Sequence, residues 1–122
     1  DIILVLVIIG IFVYPRWNLR RNAKLVEEAE FARLMPTSQL IDIREAKDFR
    51  IKHILGARNL PAGQIDKSLN ALSKHKPVLI YENGRPVGGA KVAKKLKKAG
   101  IPEVYILKSG LNSWNGKTKS GI

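Results

Sequence analysis

The sequence predicts an α/β fold in which a mostly parallel sheet is flanked by helices and preceded by an N-terminal transmembrane helix. Three observations lead there. Short apolar runs at Gln39–Ile43, Pro77–Tyr81 and Glu103–Leu107 alternate with stretches of helical period. Such alternation marks strand–helix–strand units and hence parallel pairing. The first residues, from Ile2 to Tyr14, are apolar without a break and run into a basic flank. At 122 residues the chain suits one compact domain, and it carries no internal repeat or low-complexity tract.

Taken in order, the apolar run opens the chain. As a helix Ile2–Tyr14 would rise about 20 Å, short of a hydrocarbon core of about 30 Å. The chain starts at Asp1 and its one methionine is Met35, so further apolar residues are expected upstream to complete the span. The flank Pro15 to Lys24 holds Arg16, Arg20, Arg21 and Lys24 and no acid, with Tyr14 and Trp17 at the headgroup level. This asymmetry places the flank and all that follows in the cytosol. A cleaved signal peptide would have small residues where Pro15-Arg16-Trp17 stands.

Lys24–Met35 is expected to be helical, with Leu25, Ala29, Ala32 and Phe31 toward one face and Pro36 as its stop. Gln39–Ile43 is a strand, Glu45–Ile51 a short helix and Ala57–Leu60 a short strand before Pro61. Ile65–Leu72 is a helix that turns Leu69 and Leu72 inward. Pro77–Tyr81 is a buried-type strand, Val87–Ala99 a helix ended by Gly100, and Glu103–Leu107 a strand before a last turn at Leu111–Trp114. The expected organisation is an anchor over 1–15, a basic juxtamembrane linker over 16–24, a domain over 25–116 and a tail over 117–122.

Composition removes several chemistries. The chain has no cysteine, which excludes disulfides, cysteine-ligated metals and a cysteine nucleophile within it. Its two histidines, His53 and His75, do not make a metal site, and no cofactor is called for. Lysine and arginine outnumber the acids 22 to 10, for a net charge of +12 that favours anionic partners.

In parallel α/β sheets, ligands bind beyond the carboxyl ends of the strands. That points to the loop Glu82-Asn83-Gly84-Arg85-Pro86-Val87-Gly88-Gly89. A glycine-rich strand-to-helix turn can aim several N–H groups at one point, where the helix start adds partial positive charge. Arg85 could add a charge-assisted bond. No Gly-Lys-Ser/Thr follows, so this is not a nucleotide P-loop. The same glycines also suit a plain connection that they only relieve of crowding.

Two blocks resemble the rhodanese-like domain family. One is Leu40-Ile41-Asp42-Ile43-Arg44, then Phe49, then His53-Ile54-Leu55-Gly56-Ala57-Arg58-Asn59-Leu60-Pro61, with Lys52 where the family has glycine. The other is Val104-Tyr105-Ile106-Leu107-Lys108-Ser109-Gly110-Leu111-Asn112-Ser113-Trp114, with Ser109 where the family has its first glycine. The resemblance spans about residues 25–116, and a single-pass anchor before such a domain is an arrangement of bacterial relatives. It implies a rhodanese-like α/β domain that moves sulfane sulfur. In active members a cysteine opens the loop after the Tyr81-like position and takes sulfur from thiosulfate or a persulfide. The loop N–H groups stabilise the persulfide before it passes to a thiophilic acceptor.

Here that position holds Glu82, or Asn83 when the count runs back from Gly100, and the loop is one residue longer. Neither is a sulfur nucleophile. Arg85 comes early, and Gly88-Gly89 stand near the helix start in place of the family's arginine–serine pair. The Glu82 carboxylate can either fold into the loop's own N–H groups or stand exposed in a degenerate site. In the family, residues such as Asp42 and Arg44 brace the loop. His53 falls in a packing block, and His75, between Lys74 and Lys76, reads as a solvated turn residue.

The helix before Gly100 turns Val92, Ala93, Leu96 and Ala99 to one face and carries Lys91, Lys94, Lys95, Lys97 and Lys98 on the other. Lysines are usually a solvated face; beside an anchored bilayer they become candidates for anionic lipid, with Arg16, Trp17, Arg20, Arg21 and Lys24. Lys117 and Lys119 could add to that surface. Nucleic acid is disfavoured, for want of a recognition helix, aromatic platform or zinc motif. The expected function is non-catalytic: binding of an anionic ligand or a protein partner through residues 82–89. The alternatives are persulfide transfer with a partner's cysteine, and a membrane scaffold.

Overall fold

The computed structural model describes residues 2–8 and 23–121. Residues 2–8 form a helix, α1, with every side chain exposed. Among the described residues no helix is long and apolar enough to cross a membrane. The rest of the expected span, and the flank holding Arg16, Trp17, Arg20 and Arg21, lie outside the described residues.

The domain is a five-stranded sheet in the order β1-β6-β5-β2-β4. Its strands are β1 (Lys24–Val26), β2 (Gln39–Asp42), β4 (Arg58–Asn59), β5 (Val78–Tyr81) and β6 (Val104–Leu107). Every neighbouring pair is parallel. The amino ends of the strands therefore share one edge of the sheet and the carboxyl ends share the other. The central strand β5 is buried at all four positions, as the unbroken Val78–Tyr81 run requires of a strand covered on both faces.

One face packs Ile41, Ile80, Val104 and Ile106 against Ile65 of α4 (Ile65–Ser68) and Val92, Ala93 and Leu96 of α5 (Gly89–Lys98). The other packs Leu40, Leu79, Tyr81 and Leu107 against Phe31 of α2 (Glu28–Leu34), with Ile54, Leu111 and Trp114. Phe31 is fully buried and meets Trp114 edge-on, ring centroids 5.9 Å apart. Helix α3 (Ala46–Ile51) leads into β3 (His53–Ile54), which pairs antiparallel with β7 (Thr118–Lys119).

Three expectations are corrected. Residues Lys24–Val26 are not the start of a helix: they are an edge strand in register with Tyr105–Leu107, and helix begins only at Glu28. An edge strand this short is selected by backbone pairing with β6, which leaves no period in the sequence. The helix expected from Val87 begins at Gly89: the Gly88 carbonyl accepts its first bond, from the Val92 N–H, and the otherwise unpaired N–H groups of residues 87–89 ahead of that bond meet Glu82. The segment expected as a tail pairs with β3, and Ser120 Oγ and the Gly121 N–H donate to the Ile51 and Arg50 carbonyls.

Phe31→Ala empties a filled site under the sheet and is expected to cost roughly 3–5 kcal/mol. A lower urea midpoint at unchanged slope checks it.

Candidate functional site

The carboxyl edge of the sheet gathers the loops after β2, β4, β5 and β6. After β5 the chain turns at Glu82, and its carboxylate folds back over the start of α5. Oε2 accepts the N–H of Val87 at 2.8 Å and of Gly89 at 3.1 Å, and Oε1 that of Gly88 at 3.0 Å. Three converging donors and the positive end of a helix hold one anion, and that anion belongs to the chain itself. Gly89 permits the approach: a Cβ there would lie 3.2 Å from Glu82 Oε2 and 3.3 Å from Ile106 Cδ1.

Asn83 points elsewhere. Its Oδ1 accepts from Arg44 Nη1 at 3.0 Å, so the two candidates for the nucleophile position are separated by geometry: Glu82 fills the cradle and Asn83 serves the brace. The loop after β6 lies on the same turn. The N–H of Leu111 donates to the Glu82 carbonyl at 2.9 Å and that of Asn112 to the Asn83 carbonyl at 2.7 Å. Gly110 is essential to this fit. Its φ is +70°, and a Cβ would sit 2.5 Å from the Gly84 oxygen. Ser109 and Lys52, by contrast, stand where the family has glycine without needing to be glycine. No described non-glycine residue takes positive φ, and Lys52 at φ −166° is ordinary extended backbone.

Asp42 and Arg44 lock this assembly. Asp42 is fully buried and the Arg44 side chain is 7% exposed. Arg44 Nη2 donates to Oδ2 at 2.7 Å and Nε to Oδ1 at 3.0 Å, while the Arg44 N–H adds a bond to Oδ1 at 2.9 Å. Arg44 also donates to the Lys52 carbonyl, tying α3's end to the loop. Burial by itself would lower the guanidinium pKa; the bonds and charge of Asp42 outweigh it and raise it. Behind the pair, Tyr81 Oη accepts the buried Ile54 N–H at 3.0 Å. Its phenol is pushed far above the usual range, by burial and then by the Asp42 charge. Asn59 Nδ2 donates to the carbonyls of Asp42 and Arg44.

The remaining candidates fall into three groups. Arg85 and Val87 are exposed on the loop's outer side, Val87 at 88%, and Arg85 has no ion pair among the described residues. His53 is buried, stacked on Phe49 at 3.7 Å, with Nδ1–H donating to the Phe49 carbonyl; His75 is an exposed turn residue. Of the lysines, Lys95 bridges Asp66 at 2.9 Å and Lys97 donates to the Pro102 carbonyl, whereas Lys24, Lys91, Lys94 and Lys98 are exposed. Among the described residues no cluster of His, Cys, Asp or Glu could hold a metal. The sequence reading missed Tyr81 and Asn59 as supports. Tyr81 reads as one more apolar position of β5, and only the fold brings Ile54 to its hydroxyl. A groove lined by Ile43, Glu45, Ala46, Asn59, Pro61 and Ala62 opens beside the cradle, Ala62 facing Gly88.

Removing Asp42 alone would strand a nearly buried cation. Asp42→Ala is expected to cost roughly 3–5 kcal/mol. Adding Arg44→Met should restore part of it, as read in a urea double-mutant cycle.

Comparison with known proteins identifies the fold and the family. The chain is 37% identical over 116 residues to the uncharacterized protein YqhL of Bacillus subtilis, covering 95% of this chain and 88% of YqhL. It is 30% identical over 76 residues to the thiosulfate sulfurtransferase GlpE of Coxiella burnetii, covering 62% of this chain and 69% of GlpE. The solution structure of the rhodanese-like domain of Alr3790 from Anabaena superposes with a TM-score of 0.69 at 25% identity, covering 79% of this chain and 78% of that one. Residues 27–117 match the rhodanese-like domain as a family, and the chain belongs to that family.

Proposed function

We propose that this chain is a membrane-anchored, cytosol-facing rhodanese-like domain that carries no sulfur itself and engages a protein partner at the 82–89 loop. One observation carries the reading. The N–H groups that would hold a sulfur-borne anion are occupied by the chain's own Glu82 carboxylate. A free anionic ligand has to displace that carboxylate. A protein partner does not, since Arg85 and Val87 already face outward. The apolar Ile2–Tyr14 run and its basic flank support the anchor and its orientation.

A second reading has a specific observation behind it. The Asp42–Arg44–Asn83 brace and the Gly110 contact hold the loop in a defined shape although no nucleophile uses it. Together with the likeness to a thiosulfate sulfurtransferase, this favours a partner's persulfide as the group presented to the loop.

Sulfur transfer from thiosulfate to cyanide, measured on the full chain, tests the proposal. The natural sequence is expected to stay at background, and Glu82→Cys to gain turnover, because it places a thiol at the head of the N–H cradle. Asn83→Cys, aimed at Arg44 instead, is expected to stay silent. Turnover by the natural chain overturns the non-catalytic reading. A folded Glu82→Cys variant with a titratable thiol and no turnover shows that the cradle no longer serves sulfur.

A further inference from the structure

Because all five strands are parallel, the domain has a defined polarity. The candidate site occupies the carboxyl edge. The amino edge lies about 13 Å away along the four-residue strands, and it is built differently. Lys24 opens β1 there, and Lys74, His75 and Lys76 form the exposed turn before β5. Helix α5 runs back across the sheet from the loop, so its last turn delivers exposed Lys98 to the same edge. Lys74 lies over Gly100, its Cδ 3.5 Å from where a Cβ would stand, which joins the turn to the end of α5.

These charges are held in place and left unneutralised. Gln39 clamps the turn: Nε2 donates to the Ser73 and Lys76 carbonyls at 2.8 and 3.2 Å, and Oε1 accepts the Ser73 N–H at 2.7 Å. Lys24, Lys74, Lys76 and Lys98 take part in no ion pair among the described residues. Glu103, just before β6 on this edge, makes no ion pair with them among the described residues; it accepts the Tyr105 hydroxyl at 2.6 Å, which lifts that phenol to about 12. The basic flank with Arg16, Arg20 and Arg21 runs directly into Lys24, so it joins the domain at this edge and not at the site.

We infer that the amino edge of the sheet, through Lys24, Lys74, Lys76 and Lys98, rests on the anionic headgroups of the bilayer and turns the 82–89 loop away from it. The inference rests on the anchored reading proposed above. It reassigns the lysine surface: Lys91, near the loop end of α5, and Lys95, paired with Asp66, do not belong to the contact. Each lysine brought near anionic lipid adds attraction that salt screens. The anchor supplies proximity that such a patch lacks when free in solution.

The absence of cysteine makes the test direct. The full chain, with apolar residues added upstream to complete the span, carries a fluorophore at His75→Cys or, separately, at Val87→Cys. It is reconstituted in vesicles of phosphatidylcholine with or without phosphatidylglycerol. Flotation with either vesicle checks the anchor first. The expected result is that the neutral quencher acrylamide reaches the probe at 75 severalfold less in phosphatidylglycerol vesicles than in phosphatidylcholine alone. The probe at 87 should stay equally open in both. Lys74→Glu, Lys76→Glu and Lys98→Glu together should reopen position 75 without loss of flotation. If the chain floats but the two probes remain equally accessible, or position 75 is shielded equally without anionic lipid, the orientation is overturned and the anchor stands. If the chain floats with neither vesicle, the anchor reading falls and the orientation with it.

Discussion

A carboxylate buried under the carboxyl edge of the sheet imposes the order of everything around it. Asp42 has no access to water, so its charge must be met within the fold. Arg44, two residues on, meets it with a planar fork and has donors to spare. Those donors reach the Lys52 carbonyl and Asn83 Oδ1, so one ion pair fixes the end of α3 and the start of the loop after β5. A buried pair of this kind is weak evidence for net stability, because desolvating both charges consumes most of the attraction. Its structural effect is connection: one guanidinium ties Asp42, the end of α3 and the loop after β5 to each other.

That frame holds the loop in a defined shape in a sequence that has no cysteine. Glu82 begins the turn and caps α5 from within the chain, where three N–H groups would otherwise face outward unpaired. In a sulfur-carrying relative of this architecture, an anion on a cysteine sulfur would meet such groups. Here a side chain of the same charge sits among them. The N–H cradle and the anion remain, and the nucleophile does not.

The parallel sheet then separates two surfaces of different character. At the carboxyl edge, Asp42 pairs with Arg44 and three N–H groups meet the Glu82 carboxylate, with Arg85 and Val87 among the exposed residues. At the amino edge, lysines stand on a clamped turn and at a helix end, in no ion pair among the described residues. The attachment point of the N-terminal segment at Lys24 coincides with the second surface. In the reading proposed above, the first edge meets a protein partner while the second is held against the bilayer.

The alternation of apolar runs with helical period was enough to place β2, β5, β6 and α5, since each buries a contiguous set of side chains that the sequence displays. The two motif blocks located Asp42, Arg44 and Gly110, and the composition showed that the sequence holds no cysteine to serve as a sulfur nucleophile. What the sequence left open was set by contacts between distant segments. Whether Glu82 or Asn83 fills the cradle depended on Arg44, nearly forty residues earlier, claiming Asn83. Strand β1 exists because β6 offers an unpaired edge, and β7 because β3 does. Tyr81 became a polar support only when Ile54 was brought to its hydroxyl. Local sequence records side-chain periodicity and turn chemistry. Pairing of backbone edges and the matching of buried donors to acceptors are decided only when the sheet assembles.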